Sequence, residues 1–262
     1  MTEQDKANIS ANKQSWNETA SVHAATYVED LKRRIAAPDF TTFDEIEQKI
    51  FAELGLDSKD VAQLSCNNAR ELIAVKKAGA ARCVGFDISD KFIAQARELV
   101  EAAEVEVELV CTNVYDISHD FDASFDLVYV TVGALGWLPD LDAYFDVVTR
   151  LLKPDGLLFM YEMHPILNMY DAEKGLEPDA SYFRTAPFVS EGEPDYLNPE
   201  AIVEAKSYWY PHRLADIVGG CLNKGLTLTH FQEYAHDISS NYKAFAELET
   251  VPPLCFSLVA RK

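Results

Sequence analysis

Short apolar runs recur along this chain, and stretches with apolar residues three and four apart lie between them. Residues 61–65 (Val-Ala-Gln-Leu-Ser), 83–86, 105–111, 125–131 and 157–163 read as strands, the first mostly apolar and the fourth strongly so. Between them, Leu72, Ile73, Val75 and Ala78 mark a helix over 70–79 that Gly79 stops. Phe92, Ile93, Ala96, Leu99, Val100 and Ala103 mark a second, capped by Ser89 or Asp90. Pro139-Asp140 opens a third, with Leu141, Tyr144, Phe145, Val148, Leu151 and Leu152 inward. Lys153-Pro154-Asp155-Gly156 then reads as a turn, in which Pro sets one dihedral and Gly supplies another.

The flanks are less regular. Residues 1–14 are polar and read as a loose arm. Ser15 is a possible cap for one amphipathic helix over 16–35, with Ala20, His23, Ala24, Tyr27, Val28 and Leu31 on its apolar face. A second helix fits 43–54, ended by Gly55. After His164-Pro165, residues 166–199 carry acids, prolines and aromatics without a period. That is too long for an ordinary connection and reads as a lid. A strand at 201–210, a helix at 212–223 and strands at 226–234 and 254–260 complete the chain.

Alternating strands and helices with short links predict an α/β fold, a doubly wound, mostly parallel sheet with right-handed crossovers. Four parts are expected: an N-terminal helical cover (1–55), a cofactor-binding core (56–164), the lid (165–210) and a C-terminal completion of the sheet (211–262). Ligands on such sheets bind at the carboxyl ends of the strands. The residues expected there are Ser65, Cys66, Asn67, Asn68, Asp87, Asn113, Thr131, Val132, Gly133, Glu162, Met163 and His164. Asp87 follows the first turn by about twenty residues, the spacing at which an acidic side chain meets a ribose bound over that turn. A nucleoside cofactor is therefore expected.

Composition narrows the partners. The net charge of −20 and pI near 4.6 repel phosphate backbones and anionic lipid, so neither nucleic acid nor membrane is an expected partner. No apolar run approaches membrane-spanning length, and the first fifteen residues lack the apolar core of a signal peptide. The five cysteines are scattered and never spaced Cys-x-x-Cys, which reads as buried small hydrophobes in a reducing compartment. A cytoplasmic location is expected, no metal-ligand spacing is present, and oligomeric state is not readable.

The ordered set of segments resembles the class I S-adenosylmethionine-dependent methyltransferases. The likeness spans roughly residue 16 to the end and is best over 61–165. It rests on the first-strand loop, on Asp87, on Thr112-Asn113-Val114-Tyr115-Asp116, on Phe125-Asp126-Leu127-Val128-Tyr129-Val130, and on Leu151-Leu152-Lys153-Pro154-Asp155-Gly156-Leu157-Leu158. It implies a Rossmann-like, seven-stranded sheet whose last strand runs antiparallel beside the fifth. It also implies S-adenosylmethionine as cofactor and a small-molecule acceptor. One departure is plain: the first turn, Cys66-Asn67-Asn68-Ala69, contains no glycine. Asn is the next most tolerant residue for positive φ, so Asn67 and Asn68 are expected to make the turn. A dinucleotide must press its pyrophosphate against this loop, whereas S-adenosylmethionine has no phosphate. The glycine-free loop therefore disfavours an NAD(P)-dependent oxidoreductase. A non-catalytic binding or regulatory protein of the same fold is the other alternative.

Within the resemblance, Asp87 is expected to accept from the ribose hydroxyls, Ile88 and Val114 to sandwich the adenine, and Asn113 to meet its edge. Ser65, Cys66, Asn67 and Asn68 would hold the methionine portion, with Thr131, Val132 and Gly133 opposite. Trp16, Tyr27 and Trp137 are candidates for the acceptor pocket. Glu162 and His164, two apart at the end of the fifth strand, are candidates for acid–base work, although a sulfonium donor needs only positioning for many transfers.

Overall fold

The computed structural model describes residues 1–172, 174–239 and 241–262. Its centre is a seven-stranded sheet of β1 (Asp60–Leu64), β2 (Arg82–Asp87), β3 (Glu108–Cys111), β4 (Phe125–Val130), β5 (Leu152–Met163), β6 (Thr227–Tyr234) and β7 (Cys255–Arg261). The spatial order is β3-β2-β1-β4-β5-β7-β6. Strands β1 to β5 pair in parallel, and β7 runs antiparallel to both β5 and β6. This is the Rossmann-like order that the resemblance implies, with a topological switch between β1 and β4.

Side-chain alternation along the strands divides the core in two. Ala62, Leu64, Val84, Phe86, Val128 and Met160 face one layer, which contains α6 (Leu141–Leu151) and α7 (Leu214–Asn223). Val61, Cys83, Leu127, Tyr129 and Phe159 face the other, under α3 (Glu45–Leu54), α4 (Arg70–Lys77) and α5 (Asp90–Ala102). Asp44 caps α3 by accepting from Ile46 and Glu47, each at 2.9 Å.

Three expectations fail for physical reasons. Residues 1–14 are no loose arm but the first half of α1 (Glu3–Thr26), started by a capping box between Thr2 and Asp5. Its contact face is built from Asn8, Asn12, Ser15 and Thr19, so apolar periodicity could not reveal it, and Ser15 is interior rather than a cap. The single helix over 16–35 breaks at Tyr27 (φ −137°), and α2 (Val28–Ile35) starts afresh with Val28, Leu31 and Ile35 packed on Ile73, Ala74 and Leu99. Lys153 to Gly156 belongs to β5 as an irregular start, not a separate turn. The positive φ falls on Asp155 (+63°), not on Gly156. Gly156 is needed for close approach, because a Cβ there would lie 2.9 Å from the Lys153 carbonyl and 3.1 Å from that of Phe125.

The segment after β5 holds two small antiparallel pairs apart from the main sheet. Phe188–Ser190 pairs with Ser207–Trp209, and Glu193–Pro194 with Ile202–Val203. The strand expected over 201–210 is thus two short strands. Among the described residues no helix is long and apolar enough to cross a membrane. Four of the five cysteines are buried and all are free; Cys111 is exposed.

Close packing of α7 on α6 depends on Gly220, whose added Cβ would sit 2.2 Å from the Phe145 ring. Gly220→Ala is expected to lower stability by about 1–3 kcal/mol through overpacking. In urea unfolding the midpoint should fall with the slope unchanged. An unshifted midpoint would show that this contact relaxes without cost.

Candidate active site

A cavity of about 760 Å³ opens at the carboxyl ends of β1, β2 and β4. Its floor is the turn after β1. Positive φ falls at Ser65 (+53°), Asn67 (+52°) and Ala69 (+59°), so Asn67 behaves as its chemistry predicts, whereas Asn68 does not take that role. Such backbone costs about 1–2 kcal/mol at a residue with a Cβ. Hydrogen bonds hold it in place: Asn67 N–H donates to Asp87 at 2.8 Å, Cys66 N–H to the Phe86 carbonyl at 3.0 Å, and Ala69 N–H to the Cys66 carbonyl at 2.8 Å. A glycine does serve the loop, but from β2. At Gly85 a Cβ would come within 2.8 Å of the Cys66 sulfur, so its absence makes room for a cysteine in the turn.

Asp87 joins two elements. One carboxylate oxygen accepts from Asn67 N–H and the other from Ser89 N–H, both at 2.8 Å. Burial pushes its pKa up to about 6, against these donors and that of Ile88. Ser89 in turn caps α5 by accepting from Phe92 N–H at 3.1 Å. Beside Asp87 the wall continues through Ile88, Asn113 and Val114, and Asn113 accepts from Tyr115 N–H at 3.3 Å. Thr131, Val132 and Gly133 line the facing side. Gly133 has φ +81°, and its Cβ position is open, so its backbone is bare to the cavity.

Trp16, Tyr27 and Trp137 also line this cavity, so those three and all eleven residues expected at the cofactor share one space. Tyr27 sits at the break between α1 and α2, and its hydroxyl accepts from the Asn68 amide at 2.8 Å. Trp16 meets Phe92, Trp137 and Tyr196 edge-on, with ring centres 5.0–6.5 Å apart.

Glu162 and His164 stand elsewhere, and the acid–base pairing expected for them is corrected here. Neither lines the cavity; Met163 between them does. Glu162 is buried, and its carboxylate accepts from Gly133 (2.6 Å), Ala134 (2.9 Å), Leu135 (3.4 Å) and Met163 (2.9 Å). Burial nonetheless pushes its pKa up to about 7. It fixes the loop that carries Gly133. The His164 ring accepts from Ile166 N–H at 3.1 Å through Nδ1 and meets Glu233 at 2.9 Å through Nε2, while burial holds its pKa below the ordinary value.

The far half of the cavity was visible in sequence only as a group of lid aromatics, Tyr170, Phe188, Tyr196 and Trp209 among them, without placement. Asn168, Tyr170, Phe188, Tyr196, Trp209 and Tyr242 line it, with Arg70 and Glu71 at the start of α4. Only Arg70 and Glu71 carried a usable signal, as charges in the first turn after the loop. Trp209 lies against Gly136, where a Cβ would meet its ring at 2.2 Å, and its indole N–H donates to Asn168 at 2.8 Å.

Helix α1 and the segment over 165–210 close the cavity together through polar contacts. Asn12 donates to the Tyr208 carbonyl at 2.9 Å and accepts from Tyr208 N–H at 2.7 Å. Asn8 donates to the Tyr210 hydroxyl at 2.9 Å, and Glu18 accepts from Ala205 N–H at 2.8 Å. Fully buried His23 meets Asp195 at 3.1 Å, and burial depresses its pKa despite that carboxylate.

Residues 62–160 match a family model described as a methyltransferase domain. Solved structures share the fold. An S-adenosylmethionine-dependent methyltransferase from Methanosarcina mazei superposes with TM-score 0.60 at 16% identity, covering 85% of this chain and 99% of its own. One from Mesorhizobium loti gives TM-score 0.57 at 18% identity, covering 82% and 97%. Geranyl diphosphate C-methyltransferase from Streptomyces coelicolor A3(2), solved with Mg2+, geranyl diphosphate and S-adenosyl-L-homocysteine, gives TM-score 0.56 at 10% identity, covering 82% and 75%.

If Glu162 anchors the loop, its loss is a stability effect. Glu162→Ala leaves the Gly133, Ala134 and Met163 N–H groups without their acceptor and is expected to cost about 3 kcal/mol. Equilibrium urea unfolding at neutral pH reads it; a cost below about 0.5 kcal/mol would remove Glu162 from this role.

Proposed function

We infer, from a core that matches a family model described as a methyltransferase domain, that this chain moves a methyl group from S-adenosylmethionine to a small-molecule acceptor held in the same cavity. The observation that carries this reading is continuity. One cavity of about 760 Å³ runs from Asp87 and the turn after β1 to the aromatic half under residues 165–210. That volume is in the range of small-molecule sites and leaves room for a nucleoside-sized ligand and a second, small one.

The residues present fit the cofactor. Asp87 offers carboxylate oxygens to a pair of ribose hydroxyls. Ile88 and Val114 supply apolar surface for a flat base, and Asn113 a polar edge. The bare backbone at Gly133 allows close approach opposite the turn. The turn itself suits a ligand without phosphate. The Asn67 N–H is already held by Asp87, and the Asn68 N–H by the Asn67 side chain at 2.8 Å. No such loop amide is free to cradle a pyrophosphate, which counts against a dinucleotide.

When bound, S-adenosylmethionine supplies a methyl group activated by its sulfonium. The chain's own part is to bind, orient and exclude water. Trp137, Trp209, Tyr170 and Tyr196 give the acceptor half an apolar wall. In this reading residues 1–55 and 165–210 serve as cover, 56–164 as cofactor core and 211–262 as completion of the sheet. Methyl transfer then needs in-line placement within a dry site more than a protein base. A cytoplasmic setting goes with the same reading.

Titration calorimetry with S-adenosylmethionine, S-adenosylhomocysteine, NAD and NADP tests it. The first two should bind and the others should not. Binding without turnover over a broad acceptor panel would favour a non-catalytic binding protein instead.

The pH dependence follows from Asp87. Its folded pKa, about 6, is raised, so the ionised acceptor is complete only above that value and is lost as pH falls through it. S-adenosylhomocysteine affinity should be flat above pH 7 and about tenfold weaker at pH 5. Asp87→Ala should weaken binding about 10–100-fold at pH 8 and abolish the pH step. An unchanged profile in the variant would remove Asp87 from the ribose site.

A further inference from the structure

One wall of the main cavity separates it from a second, water-sized cavity of about 30 Å³, lined by Glu162, His164 and His212. Among the described residues, three border both cavities: Met163, Asn168 and Trp209. They come from separate elements. Met163 ends β5, Asn168 lies in the turn Pro165–Met169 that the His164 side chain caps, and Trp209 ends the short strand Ser207–Trp209. The side chains behind this partition are engaged within the protein. Glu162 accepts from four N–H groups, His164 accepts from Ile166 N–H, and the His212 ring donates to the Leu138 carbonyl at 2.7 Å.

Trp209 is the largest of the three, and several contacts fix it. Its indole N–H donates to Asn168 at 2.8 Å, and its ring meets Trp137 edge-on with centres 5.1 Å apart. The backbone beside it is tied from two sides. Tyr208 exchanges two hydrogen bonds with Asn12 of α1, and Tyr210 N–H donates to the Gly136 carbonyl at 2.6 Å. Gly136 lines the small cavity and supplies the seat, since a Cβ there would overlap the indole ring. With its N–H already used, the indole offers an apolar surface to whatever fills the main cavity. A polar group pressed against that surface would lose water and gain no partner.

We propose that Trp209 is the specificity-determining residue of the acceptor half: its indole ends the compartment, limits the length of the acceptor and requires an apolar inner end, and Gly136 is the residue that positions it. This rests on the methyltransferase reading above. Without the indole the two cavities would merge, and an acceptor could run on toward Glu162, His164 and His212. The partition keeps those hydrogen-bonding groups out of the compartment although they lie one side chain away from it. It also serves placement. An acceptor that overran the wall would carry its reacting atom away from the methyl group, and in-line transfer tolerates little displacement.

The test is binding of a length series to protein saturated with S-adenosylhomocysteine. 2-Phenylethanol, 4-phenylbutan-1-ol and 6-phenylhexan-1-ol are titrated in turn by calorimetry. A methylene that enters an apolar compartment raises affinity about fourfold. In the native protein this gain should stop within the series. In Trp209→Ala it should continue, so that the affinity ratio of the longest to the shortest alcohol rises at least about tenfold. Trp209→Phe keeps a ring but not the bond to Asn168; its ratio should fall between the two, and it carries the test if the alanine variant does not fold. Gly136→Ala should shift the ratio in the native background and leave it unchanged in the Trp209→Ala background. A merely structural role for Gly136 would lower stability in both and leave the ratio alone. The same ratio in the native protein and in the Trp209 variants overturns the proposal, as does failure of all three alcohols to bind. Failure of S-adenosylhomocysteine itself to bind the native protein would overturn the methyltransferase reading, and this proposal with it.

Discussion

The carboxylate of Asp87 is the contact on which the site depends. It lies at the end of β2, next to the strand β1 that borders the topological switch, and accepts one N–H from the turn after β1 and one from the start of α5. Without it, a turn with three left-handed residues that all carry a Cβ would keep only the N–H bonds of Cys66, Asn68 and Ala69 and lose its tie to α5. Families with glycine at these positions make such a turn at small cost. Here the backbone strain is offset by a buried charge that accepts from the loop. The compensation extends to β2, where Gly85 yields space to Cys66. The glycine is displaced from the loop to its neighbour, and the loop is stabilised from below.

Glu162 does for the opposite wall what Asp87 does for the floor. Both are carboxylates at strand ends, both are raised by burial, and both collect backbone N–H donors. They differ in what remains free. Asp87 lines the cavity and has acceptor capacity left for a ligand. Glu162 faces away from it and spreads its two oxygens over four donors. A perturbed carboxylate at a strand end is therefore not by itself a catalytic signal. Accessibility decides between ligand binding and loop support.

The core was readable because it obeys the periodicities that burial imposes. Val61, Leu127 and Phe159 come from short apolar runs, and Phe92, Ile93, Ala96 and Leu99 from a helical stripe; the order of these blocks identifies a doubly wound sheet. What escaped reading is polar. Helix α1 docks through Asn8, Asn12 and Glu18, and its partners Tyr208, Tyr210 and Ala205 lie nearly two hundred residues away. Asparagine on a helix carries no hydrophobic period, so the helix looked like an arm. The lid aromatics were visible as a group but had no period to place them. Trp209 is understood only once Gly136 is seen beneath it. The misreading of Glu162 and His164 has a different origin. Both were placed correctly at a strand end, but alternation aims Met163, not its neighbours, into the cavity.

The polar character of the cover has a mechanical consequence. A helix latched by aliphatic packing would resist separation, since exposing its face costs apolar burial. The latch between α1 and residues 195–210 combines the edge-on packing of Tyr196 on Trp16 and His23 with amide, carboxylate and hydroxyl contacts that water can replace. Each is worth little net, so the cover can part without unfolding the sheet, whose core lies on other elements. His23 is the exception. It is wholly buried against Asp195, and its Nδ1 has no partner. Opening there hydrates both the unpartnered nitrogen and the carboxylate, which offsets part of the aromatic burial lost around the ring. A cavity that must admit two ligands and then exclude water is served by such a latch, closed by geometry and only weakly held by energy.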